Sequence, residues 1–189
     1  MNELIHKKDN KTELVAQDQL RQYLTFQAGN ENLAISILDV KEIIEINTIT
    51  DVPMTPDYIR GVINLRGNVV PVIDLSARLG RTRSEITKRS CIVLVQVEYN
   101  DDDAQLLGML VDAVDEILEI PEVNIMPPPD FGADIRTDFI QSMGRVGDEF
   151  IILLNINRVL SIKELSQLKQ VADYESGNVN KEASFAALN

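Results

Sequence analysis

Very few side chains of this 189-residue chain could carry out covalent or metal chemistry. There is one histidine, His6, and one cysteine, Cys91. A catalytic triad or a cysteine–histidine pair would have to use His6, which lies in a polar N-terminal segment that we expect to be mobile. One histidine and one cysteine also cannot assemble the ligand set of a His/Cys zinc site. We therefore predict no metal site and no catalytic residue of the histidine or cysteine type.

Carboxylates are the remaining candidates, because the chain has 30 acidic residues. The run Asp101-Asp102-Asp103 offers oxygen ligands of the type that Ca²⁺ binds, but no EF-hand glycine and distal glutamate follow it in register. We interpret the run as a solvated turn between two strands. An acid–base pair among the other carboxylates is left open, since no spacing singles one out. No glycine-rich phosphate-binding pattern is present either, and we predict no cofactor.

One arginine occurs where a tight turn would present it. The residues Arg66-Gly67-Asn68 separate two β-rich runs, Val62–Leu65 and Val69–Ile73. A guanidinium group at such a turn could form a forked pair with a carboxylate. Glu42 is the candidate within the chain, and a partner's carboxylate is the alternative. As a merely exposed turn residue, Arg66 would contribute less than about 1 kcal/mol to stability.

The segments that must position these residues are repeated along the chain. Residues 32–46 (NLAISILDVKEIIEI) align with residues 106–120 (LLGMLVDAVDEILEI) at an offset of 74, and six of the 15 positions are identical. After an insertion of seven residues around Asp130–Asp138, Tyr58–Leu79 aligns by pattern with Phe139–Leu160 at an offset of 81. We infer an internal duplication, in which Gly147 stands opposite Arg66.

Short β-rich runs joined by turn residues dominate both copies. The turn Gly29–Asn32 predicts a hairpin of Gln22–Ala28 with Leu33–Ile37. Pro71, inside the run Val69–Ile73, predicts an edge strand or a bulge. Strands at hairpin spacing are typical of small antiparallel barrels.

Helical patterns are scarce. Residues Asp39–Ile43 are predicted to form a turn or a short helix. One long helix is predicted over Asn157–Val171, with Asn157 as its N-terminal cap, and we expect it to close the second barrel.

Charge is unevenly distributed. The net charge is −12, yet residues 1–89 hold 12 acidic and 12 basic residues, whereas residues 90–135 hold eleven acidic residues and no basic one. An acidic surface argues against nucleic-acid binding. We interpret the acidic stretch as a solvated face or, alternatively, as a surface that steers the molecule toward a basic partner.

No segment of the sequence predicts membrane insertion. The longest apolar runs, Cys91–Val95 and Phe150–Leu154, are far too short to cross a bilayer. Residues 1–18 lack the apolar core of a signal peptide. Together with the single cysteine, these features lead us to expect a soluble cytosolic protein.

The ordered motifs resemble the CheW family of bacterial chemotaxis coupling proteins. The resemblance runs from about Arg21 to Leu165, and the turn Asn64-Leu65-Arg66-Gly67 with its flanking strands is the most specific part. In the first copy the matching segments are Ile37–Ile43 (ILDVKEI), Ile59–Gly67 (IRGVINLRG) and Val69–Leu75 (VVPVIDL); in the second copy they are Gly108–Val114 (GMLVDAV) and Ile151–Ile156 (IILLNI).

The resemblance implies a mainly β fold of two pseudo-symmetric, SH3-like, five-stranded β-barrels around a shared hydrophobic core, with a C-terminal helix. We expect residues 1–18 to be a flexible tail and residues 169–189 to be a mobile tail. Between them, residues 19–168 form a CheW-like domain of two barrel subdomains, approximately 19–89 and 90–168. Exchange of strands between the two is left open.

The resemblance also implies a non-enzymatic adaptor that couples chemoreceptors to a CheA-type histidine kinase. The implied partners are the cytoplasmic helical hairpin of the receptor and the regulatory domain of the kinase. The protein would be cytoplasmic and part of a receptor array, held there by its partners.

The family motif implies a set of partner-binding residues: Val40, Glu42, Gly61, Asn64, Leu65, Arg66 and Gly67. Whether Arg66 touches a partner or only orders Glu42 is left open. One alternative function is a CheW-like adaptor of a chemosensory system that controls twitching motility or another output. Another, from a different class, is a small-molecule-binding β-barrel protein or a hydrolase.

Overall fold

The computed structural model describes residues 19–100, 103–132, 137–161, 163–170, 172–173 and 177. The N-terminal tail predicted for residues 1–18 lies outside the described residues. So does most of the tail predicted for residues 169–189, of which residues 169–170, 172–173 and 177 are helical. No helix among the described residues is long and apolar enough to cross a membrane.

The described chain is mainly strand, with short helical turns between strands. The strands are β1 (Leu20–Ala28), β2 (Glu31–Ser36), β3 (Val40–Glu45), β4 (Ile59–Leu65), β5 (Asn68–Asp74), β6 (Cys91–Asn100), β7 (Asp103–Val111), β8 (Ala113–Pro121), β9 (Ile125–Met126), β10 (Ile140–Val146) and β11 (Glu149–Leu154). Two one-turn helices follow β5 and β11: α1 (Leu75–Arg78) and α2 (Ile156–Val159). A further helix, α3, covers residues 163–170.

The strands form two sheets that each draw on both copies of the repeat. One sheet has the order β8-β1-β2-β11-β10-β9, and the other has the order β3-β6-β7-β5-β4. The sixth strand of the larger sheet is only the two-residue β9. In each sheet a hairpin of one copy lies between strands of the other, and one of its two flanking contacts is parallel: β11 with β2, and β5 with β7. The exchange of strands is therefore reciprocal.

Equivalent backbone hydrogen bonds confirm the predicted duplication at atomic detail. The amide of Asp74 donates to the carbonyl of Tyr58 at 2.7 Å, and the amide of Asn155 donates to the carbonyl of Phe139 at 2.8 Å. Asp74 and Asn155 then cap α1 and α2 with their side chains. Both pairs are related by the offset of 81 that the sequence alignment gives.

The core is shared between the sheets, as predicted. One cluster contains buried residues from both, including Phe26 of β1 and Val95 of β6, and it also receives Leu165 and Leu168 of α3. Each sheet also has a smaller buried cluster of its own. One cluster is formed by residues of the five-stranded sheet, and the other by residues of the six-stranded sheet. The first half of β6, Cys91–Val95, is continuously apolar. Its alternate residues belong to two different clusters: Val93 and Val95 to the shared core, and Ile92 and Leu94 to the cluster of the five-stranded sheet.

Both hairpins predicted in the first copy form with two-residue turns, so the first turn is shorter than the predicted Gly29–Asn32. Gly29 and Asn30 have φ of 60° and 65°, and Arg66 and Gly67 have φ of 52° and 87°. Positive φ at both central residues is the pattern of the type I′ turn, which matches the twist of the flanking strands.

Three predicted elements differ from the structure. Residues 40–43 are not a turn or helix but the start of strand β3, preceded by a 3₁₀ turn at Ile37–Asp39. Pro71 lies in an interior strand rather than at an edge or a bulge. It is tolerated because the ladder between β5 and β7 begins only at Val72, so that no partner on that side needs its missing N–H.

The prediction of one long helix over Asn157–Val171 is wrong, because two separate helices, α2 and α3, lie in this region. The chain forms the single turn α2, breaks at Leu160, and begins α3 after Ser161. The break is stabilised by a capping box: the amide of Ser161 donates to Glu164 Oε2 at 2.6 Å, and the amide of Glu164 donates to Ser161 Oγ at 3.3 Å. Asn155, rather than Asn157, caps α2.

Glu164 also attaches α3 to the first copy of the repeat. Its carboxylate accepts hydrogen bonds from the Tyr58 hydroxyl at 2.8 Å and from Arg78 Nη2 at 3.2 Å. The guanidinium group of Arg78 lies 5.2 Å from the centre of the Tyr58 ring, a cation–π contact. These contacts hold the C-terminal helix against the shared core.

Candidate functional site

The site predicted from the sequence lies along the two edges of the five-stranded sheet. Strand β3, which carries Val40 and Glu42, is one edge, and β4, which ends at Leu65, is the other. Val40 pairs with Val95 and packs against the shared core. Leu65 is partly buried against the interior of the five-stranded sheet.

The turn between β4 and β5 is held by a side-chain hydrogen bond. The amide of Gly67 donates to Asn64 Oδ1 at 2.8 Å. Arg66 has a φ of 52°, a left-handed conformation that is unfavourable for a residue with a Cβ and a long side chain. Arginine at this position therefore has a conformational cost that glycine would not have.

Arg66 and Glu42 form an ion pair across the gap between the two edges. Nη2 of Arg66 donates to Oε1 of Glu42 at 2.9 Å and to Oε2 at 3.0 Å. The contact uses one nitrogen and both oxygens, so it is not the forked, two-nitrogen pair that the sequence suggested. The side chains are 71% and 38% exposed. Such an exposed pair contributes less than about 1 kcal/mol to stability.

Gly61 is required by a close backbone contact. Its φ is +134°, and a Cβ built there would lie 2.0 Å from the carbonyl oxygen of Thr50. Thr50 forms an isolated bridge with Val62: the Thr50 amide donates to the Val62 carbonyl at 2.8 Å, and the Val62 amide donates to the Thr50 carbonyl at 2.9 Å. Gly61 thus lets the segment after β3 reach the edge of β4.

The segment between Thr50 and β4 presents a residue that the sequence prediction missed. Met54 is fully exposed and has a φ of 61°, in a turn where the Thr55 hydroxyl donates to the Val52 carbonyl at 2.8 Å. Its flanking prolines in the sequence Pro53-Met54-Thr55-Pro56 mark a rigid loop and could have indicated an exposed apolar residue. Leu38, just before β3, is also largely exposed.

The second copy does not repeat the ion pair. Glu116 is the counterpart of Glu42, but its backbone amide and carbonyl, rather than its carboxylate, bond to Thr25 Oγ1. Arg145, which replaces Asn64, donates instead to Asn124 Oδ1 at 3.3 Å. The arginine–glutamate pair is therefore a feature of the first copy.

The groups near the site are not arranged for covalent chemistry. Burial raises the pKa of the Cys91 thiol, opposed by a backbone hydrogen bond at Val114, so the thiolate is disfavoured at neutral pH. Burial also raises the pKa of Asp39; Lys41 opposes the rise and Glu98 adds to it. Within the described ranges, no group of three or more His, Cys, Asp or Glu side chains is placed to hold a metal ion.

The arrangement is suited to contact with another protein. Strands β3 and β4 and the segments beside them carry an exposed ion pair, a hairpin turn held by a side-chain hydrogen bond, and the exposed apolar residues Leu38 and Met54. The structure brings Glu42 together with the turn Asn64–Gly67, and it places Gly61 in the strand that supports that turn. Val40 lies at the start of β3 and contacts the core rather than the ion pair.

Comparison with known proteins identifies what this arrangement resembles. The family model for the CheW-like domain matches residues 22–164. The chemotaxis protein CheW of Rhizobium meliloti (strain 1021) is 35% identical over 144 residues, which are 76% of this chain and 90% of that protein. Protein FrzA of Myxococcus xanthus is 30% identical over 144 residues, 74% of this chain and 85% of that protein.

A solved structure shares the fold. The crystal structure of the scaffolding protein TtCheW from Thermoanaerobacter tengcongensis superposes with a TM-score of 0.67 at 34% sequence identity. The match covers 77% of this chain and 97% of the solved one.

Proposed function

The chain belongs to the CheW-like family and is a scaffold of chemotaxis signalling, and we propose that it joins chemoreceptor tips to a CheA-type histidine kinase. The family match, which spans both sheets from residue 22 to residue 164, is the observation that carries this proposal. Family membership implies chemoreceptors and CheA as partners within receptor arrays. The contacts that we propose with these partners rest on the chemistry of particular residues.

The receptor contact that we propose involves the edge strand β3 and the turn between β4 and β5. A receptor tip is a helical hairpin, and a helix can lay an apolar stripe into a groove rimmed by polar groups. Val40 and Leu65 are only partly buried and supply the apolar surface that they leave exposed, and Glu42 and Arg66 supply the polar rim. Gly61 and Gly67 permit the backbone course that presents them, and Asn64 fixes the turn.

The exposure of Arg66 supports a role in that contact. Only Nη2 of its guanidinium group donates to a described residue, and the side chain is 71% exposed. A guanidinium group has five N–H donors, so most of them are free to meet a partner's carboxylate or carbonyl. The pair with Glu42 holds the side chain in one orientation before the partner arrives, which lowers the entropic cost of binding.

The second contact that we propose is with the regulatory domain of the kinase. Such contacts between signalling proteins can be small and transient, and an array strengthens them by engaging several at once. We propose a cytoplasmic protein that associates with membrane-bound receptor arrays through these partners. The family is one of non-enzymatic scaffolds, and we propose that the chain catalyses no reaction.

The pathway output has a second candidate. The match to protein FrzA, whose name differs from that of the chemotaxis relatives, supports a chemosensory system with another output, such as twitching motility. The matches to proteins named CheW favour chemotaxis.

Reconstitution tests the proposal. The full chain is mixed with a receptor cytoplasmic hairpin fragment and, separately, with the regulatory domain of a CheA-type kinase from the same organism. We expect both to bind, and we expect Arg66→Ala to weaken receptor binding. Arg145→Ala, which removes the arginine of the equivalent hairpin in the second copy, that of β10 and β11, is the matched control and should bind normally. Failure of the unaltered chain to bind either partner would overturn the proposal.

A further inference from the structure

A small cavity lies where the two copies of the repeat meet. Its volume is about 240 Å³. Arg78, Leu79 and Gly80 line it from the end of α1, and Arg158 and Val159 line it from α2. Phe139, which precedes β10, completes the wall. None of the lining residues belongs to the Arg66–Glu42 ion pair or to the turn between β4 and β5. The adaptor role proposed above makes no use of this cavity.

The lining is positively charged. Among the described residues that line the cavity there are two arginines and no carboxylate. Glu164 pairs with Arg78 through Nη2 at 3.2 Å and balances one of the two charges. Arg158 is exposed and has no ion pair with any residue that the structure describes. The other lining side chains, Leu79, Phe139 and Val159, are apolar, so the two arginines are the polar side chains that the described lining offers to an occupant.

Arg78 also has an unused hydrogen-bond donor. Its Nε is buried and has no hydrogen-bond partner among the described residues. A buried N–H group without an acceptor is costly, because it has lost its bond to water without gaining another. The Arg78 side chain cannot easily turn away, since its guanidinium group is held between the Tyr58 ring and Glu164.

We propose that this cavity binds a small oxyanion, of the phosphate or carboxylate class, between Arg78 and Arg158. Planar guanidinium groups match the oxygens of both classes of anion. The cavity is smaller than the sites that hold drug-sized ligands, which limits the occupant to a compact anion. The residues come from both copies of the repeat, so the bound anion links α1 to α2.

Binding is measured on the full chain with two probes, inorganic phosphate and malonate. Each is titrated at constant ionic strength against sodium chloride, and thermal unfolding and ¹H–¹⁵N NMR spectra are recorded. A ligand of the native state raises the melting temperature. We expect at least one probe to raise it above the chloride baseline and to shift the amide signals of Gly80 and Val159. The probe that binds identifies the class of anion.

Two arginine variants separate a built site from general charge attraction. Arg158→Gln should weaken binding by about tenfold or more, the loss expected for a charge-assisted hydrogen bond. Its melting temperature in chloride should not change, because Arg158 pairs with no described residue. Arg83→Gln, an exposed arginine outside the cavity, should bind like the unaltered chain.

Three results would overturn the proposal. Both probes could stabilise the chain no more than chloride does. Arg158→Gln could bind as tightly as the unaltered chain. Arg83→Gln could lose as much affinity as Arg158→Gln, which would indicate attraction to net charge rather than to this cavity.

Discussion

Nη2 of Arg66 donates to both carboxylate oxygens of Glu42, at 2.9 Å and 3.0 Å, and so connects the two edge strands of the five-stranded sheet. The arginine is the more exposed partner, at 71% against 38%. One side chain can therefore order Glu42 and still offer most of its donors to solvent. The two roles considered for Arg66 from the sequence are compatible in this geometry.

Substitution of Arg66 should affect binding far more than stability. Arg66→Ala removes an exposed ion pair, so we expect the free energy of unfolding to fall by less than about 1 kcal/mol. Receptor binding should weaken measurably, because both the guanidinium group and the fixed orientation of Glu42 are lost. Chemical denaturation and a binding titration on the same variant measure the two effects.

Arg66→Gly provides the control for that experiment, because glycine adopts a φ of 52° without strain. We expect it to be at least as stable as Arg66→Ala while binding equally poorly. If both variants bind the receptor fragment like the unaltered chain, the proposed role of Arg66 in the contact is wrong.

Gly61→Ala should be strongly destabilising. The new Cβ would lie 2.0 Å from the Thr50 carbonyl oxygen, and the φ of +134° is unfavourable for alanine. Breaking the Thr50–Val62 bridge to relieve the clash should lower the free energy of unfolding by roughly 2–4 kcal/mol. Gly67→Ala is the matched control, because Gly67 has a φ of +87° but no atom lies within 4 Å of the added Cβ. We expect its free energy of unfolding to fall by only about 1 kcal/mol, from backbone strain alone. Equal losses for the two variants in denaturant titrations would contradict the steric explanation.

The contacts between Glu164 of α3 and Tyr58 should weaken at both acidic and alkaline pH. Burial and the hydrogen bond to Glu164 raise the pKa of Tyr58 to about 12 from its ordinary 10.0. Burial alone would raise the pKa of Glu164, but hydrogen bonds from Ser161 and Tyr58 and the charge of Arg78 lower it below its usual 4.5.

The two shifts have opposite signs and therefore act in different pH windows. The contribution of Tyr58 is complete below pH 10 and is lost as the pH rises toward about 12. The contribution of Glu164 is complete above its usual pKa and is lost as the pH falls through its lowered value. Unfolding free energies measured across pH should show both losses. Tyr58→Phe should reduce the loss of unfolding free energy at alkaline pH. An equally large alkaline loss in that variant would show that another group is responsible.

Association with partners should depend on salt if the acidic stretch steers them. Residues 115, 116 and 119 place three exposed carboxylates on the edge strand β8. We expect association rates with the kinase domain to fall as ionic strength rises. The double variant Glu116→Gln, Glu119→Gln should reduce that dependence more than Asp148→Asn, Glu149→Gln, which removes the same charge from the hairpin of β10 and β11. Rates that do not change with salt would indicate a merely solvated face.

The local elements were predictable because their causes are local. Turn residues such as Gly29 and Gly67 place the hairpins, and the offset of 81 relates the caps Asp74 and Asn155 through the repeat alone. The capping box of Ser161 and Glu164 was also readable from its Ser-x-x-Glu spacing, and it would have divided the predicted long helix into its two true parts.

The pairing between strands was not predictable, because it depends on contacts distant in sequence. Nothing in the pattern of β2 distinguishes β11 from β5 as its parallel neighbour, since the duplication makes the two nearly equivalent. The Arg66–Glu42 pair was proposed on charge and proximity, but its one-nitrogen geometry depends on how far apart the two sheet edges lie. Met54 was missed because exposure of an apolar side chain leaves no periodic pattern.

The reciprocal exchange of strands also determines how the molecule folds. Strand β1 bonds to β8 through residues such as Thr25 and Glu116, which are separated by 91 positions. The five-stranded sheet needs the chain as far as Val111, and the six-stranded sheet needs it as far as Leu154. Because both sheets join strands that are distant in sequence, the fold has a high contact order and should form slowly. A chain cut in the loop after α1 would yield two fragments that each lack strands of both sheets. We therefore expect the two sheets to unfold as one cooperative unit, so that loss of either would unfold the other.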